Sequence, residues 1–334
     1  MKNKKILLVG GCGFIGHNLS LNLKKKGAIP IVVDSLSVNN ILSFADNEIK
    51  NKKLYSSILN NRIELLNSNK IKLIIQDARD YHAISRIYNE INPDIIIHLA
   101  AVSHANKSNK DPHSTFDHSL RTLENTLDFA KNKKVHVIYM SSSMVYGDFN
   151  SIDVNEETNC KPIGIYGTLK LSGELLVKAY NQVFDLPYTI IRPSALYGER
   201  CVSRRVGQIF IENAIQGQDI IINGNGEDKL DFTYIEDLIE GISLCCSEKK
   251  SINQTFNLTF GKSKKINDLL EILLKEFPDA KVSYKEREKF MPERGTLNID
   301  KAKKIIGYNP ENSIENGYLK YISWYKKFWK ELRI

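Results

Sequence analysis

Ile6-Leu7-Leu8-Val9-Gly10-Gly11-Cys12-Gly13-Phe14-Ile15-Gly16 decides how the rest of the chain is read. A strand-like apolar run ends in a loop with glycines at Gly10, Gly13 and Gly16, and a helix-like segment over 18–26 follows. Glycines at that spacing allow a tight turn, let a pyrophosphate approach the backbone, and let the following helix pack closely on a sheet. The loop's place after a first strand and before a first helix marks it as a dinucleotide site. The next strand-like run ends at Asp34. A carboxylate there accepts hydrogen bonds from the adenosine ribose hydroxyls and repels a 2′-phosphate, so NAD is preferred over NADP.

Outward from this loop, short apolar runs alternate with helical patterns: Lys5 to Val9, Ile29 to Val33, Ile71 to Ile75, Ile95 to His98, and Val135 to Met140. Continuous β-branched runs separated by helices imply a parallel sheet covered on both faces, a doubly wound α/β fold. The polar stretch between Leu36 and Lys70 is long for a connection between neighbouring strands, and is expected to hold a helix or a mobile flap. Past about residue 190 the pattern becomes irregular, with turns such as Asn223-Gly224-Asn225-Gly226. The expected division is a Rossmann domain over 1–190 and a smaller, discontinuous C-terminal substrate lobe over 191–334, with segments returning to the first domain. The end of the chain carries a short helix, a stop at Gly307-Tyr308-Asn309-Pro310 and an aromatic terminal helix with Trp324, Tyr325, Phe328 and Trp329.

Bulk properties narrow the classes. With 334 residues, 42% hydrophobic and 26% charged, the chain has the composition of an ordinary globular protein with ample core. No apolar run approaches the ~20 residues of a membrane span and no cleavable signal precedes the first strand, so a cytoplasmic protein is expected. Cys12, Cys160, Cys201, Cys245 and Cys246 are odd in number and lack metal-site spacing, which implies reduced thiols and no metal. The net charge of +8 is scattered over short lysine groups that suit solvated surface better than a nucleic-acid stripe. A positive field of this kind steers an anionic small substrate inward.

A second stretch, Tyr166-Gly167-Thr168-Leu169-Lys170, supplies chemistry. Residues four apart share a helix face, so the phenol and the ammonium can point into one cleft. A nearby cation favours the phenolate and lowers a Tyr pKa toward working pH, which general-base chemistry on an alcohol requires. Alone, the pair also fits an exposed amphipathic helix.

Together these residues resemble the extended short-chain dehydrogenase/reductase family, in its nucleotide-sugar epimerase/dehydratase branch. The resemblance spans nearly the whole chain. It includes Asp77-Ala78-Arg79-Asp80, His98-Leu99-Ala100-Ala101, Ser141-Ser142-Ser143-Met144-Val145-Tyr146-Gly147, Arg192-Pro193-Ser194-Ala195-Leu196-Tyr197-Gly198 and Asp231-Phe232-Thr233-Tyr234-Ile235-Glu236-Asp237. It implies that Phe14 and Ile15 with the glycines, Asp77, Ala78, Leu99, Ala100, Ala101 and Pro193 line the cofactor, and that Lys170 and Tyr166 lie at its nicotinamide end. Ser142 falls where the family keeps its catalytic hydroxyl. It would hydrogen-bond the sugar hydroxyl that Tyr166 deprotonates while hydride passes from that carbon, normally C4, to NAD. A homodimer through the segments 112–131 and 168–184 is expected on the same ground.

Two positions discriminate among reactions. By the resemblance, 4,6-dehydratases place an acid and a Glu, or a similar pair, directly after the catalytic hydroxyl residue; here those positions are Ser143 and Met144. Methionine cannot take a proton, which argues against dehydration, although Ala100-Ala101-Val102-Ser103-His104 looks like the dehydratase version of its loop. Ser103, His104, Ser143, Arg200 and Arg294 are the further substrate-contact candidates. Ala195 and Leu230 replace an Asn and an Arg that in the family help hold the substrate's diphosphate, whereas Arg294 matches a family diphosphate-binding Arg. The expected function is NAD-dependent oxidation at C4 of a UDP- or GDP-linked sugar for surface polysaccharide, by a 4-epimerase or a 4-dehydrogenase. A 4,6-dehydratase, a 4-ketoreductase and a non-catalytic dinucleotide-sensing protein are the alternatives.

Overall fold

The protein is described by a computed structural model covering residues 1–44, 50–103, 105–149, 154–287 and 291–332. At its centre lie seven strands: β1 (Lys5–Val9), β2 (Ile29–Asp34), β3 (Lys72–Ile75), β4 (Ile95–His98), β5 (His136–Met140), β6 (Tyr188–Arg192) and β7 (Gln254–Asn257). All pair in parallel, in the order β7-β6-β5-β4-β1-β2-β3. The apolar runs extend as strands because both of their faces are buried. Ile6 and Leu8 enter one core with helices α1 (Phe14–Lys25) and α2 (Lys52–Ser68). Leu7 and Val9 enter the other with α3 (Tyr81–Ile91), α4 (Thr122–Lys133) and α5 (Gly164–Phe184). The strand order reverses between β1 and β4, so the chain opens a crevice beyond the carboxyl ends of those two strands, where doubly wound sheets bind ligands.

The long connection after β2 resolves as α2, which buries Leu54, Tyr55, Ile58, Leu59, Arg62 and Leu66. Its anchor is a carboxylate in the second half of the chain. Glu212, on α6 (Val206–Ile215), accepts from the Tyr55 hydroxyl at 2.6 Å, from Asn51 at 3.2 Å, from Gln208 at 2.8 Å and from the Tyr325 hydroxyl at 2.8 Å. Four donors satisfy this buried acid, as burial of a charge demands.

Beyond β6 the chain forms short two-stranded pairs and the helices α6, α7 (Ile235–Ser247), α8 (Ile266–Glu276), α9 (Asp300–Ile306) and α10 (Ile314–Leu332). Between α7 and α8 it returns to the main sheet as β7, beside β6. Cys245 and Cys246 are buried packing residues of α7. Gly307 ends α9 in the left-handed conformation that favours glycine (φ 70°). On α10, Tyr321, Trp324 and Phe328 stack in series. Asp231 and Asp237 are structural here. The former accepts from Thr259, Gly261 and Leu297, the latter from Glu311 and Asn312. Among the described residues no helix is long and apolar enough to cross a membrane, and no group of three or more His, Cys, Asp or Glu could hold a metal ion.

Candidate active site

The crevice is lined at one end by backbone. Gly10, Gly13, Phe14, Ile15 and Gly16 form its floor, Asp34 its side, and Asp77, Ala78, Leu99, Ala100 and Ala101 the opposite wall. Gly16 has no room for a side chain: a Cβ would lie 2.4 Å from the Cα of Gly11. The glycine loop and α1 therefore touch directly, and the first amides of α1 face the cavity. Asp34 accepts from the amides of Cys12 (2.9 Å) and Leu36 (2.7 Å). Burial pushes its carboxyl up, and these hydrogen bonds oppose that shift. Two carboxylate oxygens hold more lone pairs than two amides use, which leaves acceptors for ribose hydroxyls. These residues fit NAD. Asp77 is paired with Arg79 at 2.6 Å. Pro193 lies outside the cavity lining; its carbonyl accepts from the Ser143 amide at 2.9 Å and fixes the turn after β5.

Ser142, Ser143, Tyr166, Lys170 and Arg294 lie outside that lining, in a cluster beside the crevice where side chains dominate. β5 delivers Ser141 and Ser142 to the carboxyl edge of the sheet, and a short turn over Ser143–Tyr146 follows, capped by the Ser142 hydroxyl on the Met144 amide at 3.2 Å. Helix α5 lies hard against that turn because Gly167 has no Cβ; one would sit 2.7 Å from the Met144 carbonyl. The close approach brings Tyr166 near Ser142, whose hydroxyl opposes the rise that burial imposes on the phenol.

The expected partnership of Tyr166 with Lys170 takes a different form. The Lys170 ammonium donates to the Met140 carbonyl at 2.7 Å and lies over the Tyr139 ring. Burial pulls it down to about 8, against the field of Glu174. The Tyr166 phenol is pushed up by burial, and the groups opposing that rise are Arg205, Ser142 and Arg294 rather than Lys170. The spacing of four does put both residues on one face of α5. The length of the lysine stem, however, lets its tip find a carbonyl on β5 instead of the phenol.

Arg294 reaches this end from the chain's last third. Its Nη2 donates to the hydroxyls of Ser143 (2.5 Å) and Ser194 (2.9 Å), and its Nη1 lies 2.9 Å from the Met144 sulfur. Arg200 is turned away: its Nε donates to Asn61 at 2.9 Å and its guanidinium lies over Trp324. Ser103 lines the crevice, accepting from Asn39 through its hydroxyl (3.0 Å) and from Arg205 through its carbonyl (3.3 Å). His104 lies outside the described residues.

Three residues escape sequence reasoning. Glu174 grips Arg192 with both oxygens, at 2.9 and 2.6 Å, and accepts from Ser141, locking α5 to β5 and β6. Its signal was present, since Glu174 continues the spacing of four from Tyr166 and Lys170. Arg205 and Arg62 both project into the crevice, and nothing in their local sequence announces it.

The comparisons agree with this geometry. Residues 6–259 match the family model described as the NAD dependent epimerase/dehydratase family. A putative UDP-glucose 4-epimerase of Methanocaldococcus jannaschii is 29% identical over 96% of this chain and 98% of its own. A dTDP-glucose 4,6-dehydratase of Shigella flexneri is 26% identical over 96% of this chain and 92% of its own. The crystal structure of UDP-glucuronic acid 4-epimerase from Bacillus cereus, in complex with UDP-glucuronic acid and NAD, superposes with a TM-score of 0.87 at 25% identity, covering 97% of this chain and 99% of that one. With its parallel seven-stranded sheet, its glycine loop and the match over 6–259, this chain belongs to the NAD-dependent epimerase/dehydratase family, whose members here act with NAD on nucleotide sugars.

Proposed function

We propose that the protein oxidises C4 of a nucleotide-diphosphate sugar reversibly and epimerises it, without dehydration. The observation that carries this reading is the occupancy of the two positions after Ser142. The Ser143 hydroxyl and the Met144 thioether are both covered by Arg294, so neither position presents an acid or a base to C5 and C6. NAD, when bound, supplies the hydride acceptor. Tyr166 takes the proton of the C4 hydroxyl, and Ser142, close to the phenol, orients that hydroxyl. Arg205 and Arg294 offset the burial that holds the phenol protonated. Lys170 braces α5 against β5 through Met140.

A net 4-dehydrogenase uses the same residues, and the products separate the two. Incubation of the NAD-loaded protein with UDP-, dTDP- and GDP-hexoses, followed by NMR of the sugar, is expected to give the 4-epimer. A 4-keto-6-deoxy product would overturn the reading, and a released 4-keto sugar with stoichiometric reduced cofactor would convert it to dehydrogenase. A homodimer belongs to the same proposal: Leu175, Val183 and Phe184 lie exposed along α5. Light scattering that gives a monomer at micromolar concentration would remove it.

A further inference from the structure

Met144 is a thioether set against a cation. Its sulfur lies 2.9 Å from Nη1 of Arg294, whose Nη2 donates to the hydroxyls of Ser143 and Ser194 and whose Nε is shielded from solvent without a partner. Among the described residues every acceptor of this guanidinium is neutral, and a thioether is the weakest of them. Arg192 is held differently, with both arms on the Glu174 carboxylate. Arg294 is therefore lightly restrained and able to turn to an anion, the diphosphate that the resemblance assigns to it. The methionine, by contrast, is fixed. Its amide donates to the Ser142 hydroxyl, its carbonyl accepts from Gly147 at 3.4 Å, and Gly167 of α5 packs against that carbonyl with no room for a Cβ. Val145 and Tyr146, next in the turn, are buried, whereas Met144 keeps partial exposure. Met140, at the end of β5, is only 5% exposed.

We propose that Met144 is a site of oxidation by hydroperoxides, and that its sulfoxide withdraws Arg294 from the substrate's diphosphate. Oxygen transfer breaks the O–O bond of the peroxide and forms an S–O bond at Sδ. The sulfur gives up two electrons, and hydrogen peroxide leaves as water. A dipolar oxygen then stands where a weak acceptor stood. With the backbone pinned on both sides, that oxygen meets Nη1 and takes the hydrogen bond that a phosphate oxygen would receive. A hydrogen bond to a charged group of this kind changes binding by about tenfold or more. Its signature is a loss of UDP affinity with NAD affinity kept, because Met144 and Arg294 lie outside the lining of the glycine-loop crevice. The inference rests on Arg294 holding the diphosphate.

The test treats the protein with hydrogen peroxide and then with dithiothreitol, which returns cysteine sulfenates to thiols. Peptide mass spectrometry follows the four methionines, and calorimetry follows UDP and NAD. Met144 is expected to gain one oxygen and UDP to bind about tenfold more weakly, with NAD unchanged. In Met144→Leu the same treatment should leave UDP affinity where it stood before treatment. Arg294→Leu should bind UDP weakly from the start and lose nothing further on oxidation. A Met144 sulfoxide that binds UDP as the untreated protein does would overturn the inference. So would an equal loss in treated Met144→Leu, or a Met144 that stays reduced while Met291, 37% exposed, is oxidised. An untreated Arg294→Leu variant with native UDP affinity would instead take the diphosphate away from Arg294, and the inference would fall with it.

Discussion

The glycine-loop crevice and the Tyr166 cluster beside it are made of different materials. The end beneath the glycine loop is built by backbone: a floor without side chains, the amides of α1, and a carboxylate held by two amides. At the Tyr166 end, long side chains converge from distant parts of the chain, with Arg294 lying 151 residues from the Ser143 it touches. Groups fixed by backbone are set once the strand-turn-helix unit folds, whereas groups at the tips of arginines are set only when the whole molecule closes. The first kind of site is general and tolerates few changes, and the second is where specificity can be altered.

The largest test of this contrast is Tyr166→Phe. Turnover should fall by about 10²- to 10⁴-fold, the usual worth of a positioned acid/base group, while calorimetry shows NAD bound as before. If cofactor affinity fell in parallel, the two ends would not be separable.

Gly16→Ala probes the opposite end. The Cβ would meet the Gly11 backbone, and overpacking of that kind costs about 1–3 kcal/mol. The denaturation midpoint should drop and NAD affinity with it, while sugar-nucleotide binding to the folded fraction is spared.

Acid should also reach the cofactor end. His98 ends β4 directly below Leu99, and burial holds its imidazole down to about 3. The folded state thus refuses a proton that the unfolded chain accepts below about 6.5. Stability from this group is complete above 6.5 and is lost as pH falls toward 3, at roughly 1.4 kcal/mol per pH unit, or about 2 kcal/mol by pH 5. The pH dependence of urea unfolding should flatten between 6.5 and 5 in His98→Gln; an unchanged slope would mean that other groups carry the effect.

The smallest change is Asp34→Asn, which removes the charge facing a 2′-phosphate and keeps an acceptor for the ribose. The ratio of NADP to NAD affinity should rise by about tenfold on titration of each cofactor. No change would show that the selectivity lies elsewhere, with Arg62 the nearest alternative.

The contrast between the ends also explains what could be read in advance. The sheet was legible because β-branched runs buried on both faces have few other options, and the glycine loop because its spacing answers to backbone geometry. Ser142 follows β5 and Tyr166 lies on α5, so the period of strand or helix fixes the direction of each. The tips of Lys170, Arg200 and Arg294 were not. Helical spacing fixes where a Cβ points, and four or more further torsions then follow whatever acceptor the tertiary fold supplies. For Lys170 that acceptor is Met140, for Arg200 it is Asn61, and for Arg294 it is a pair of serines. The segment after β2 was ambiguous for a related reason, since α2 takes its burial from residues more than 130 positions away.

That last arrangement bears on the order in which the molecule is made. Glu212 gathers Tyr55, Gln208 and Tyr325, and the last of these lies on the terminal helix. While the chain is being synthesised, α2 emerges early, yet the acid that satisfies Tyr55 follows only after β6, and Tyr325, which completes its donors, only with α10. The nascent N-terminal half can zip its inner strands together, but the donor set of Glu212 beside it stays incomplete until α10 is made. A ribosome stalled before α10 would therefore hold a sheet with its glycine loop formed and the buried Glu212 beneath its outer helix short of one donor, a species for chaperones to shelter and proteases to find.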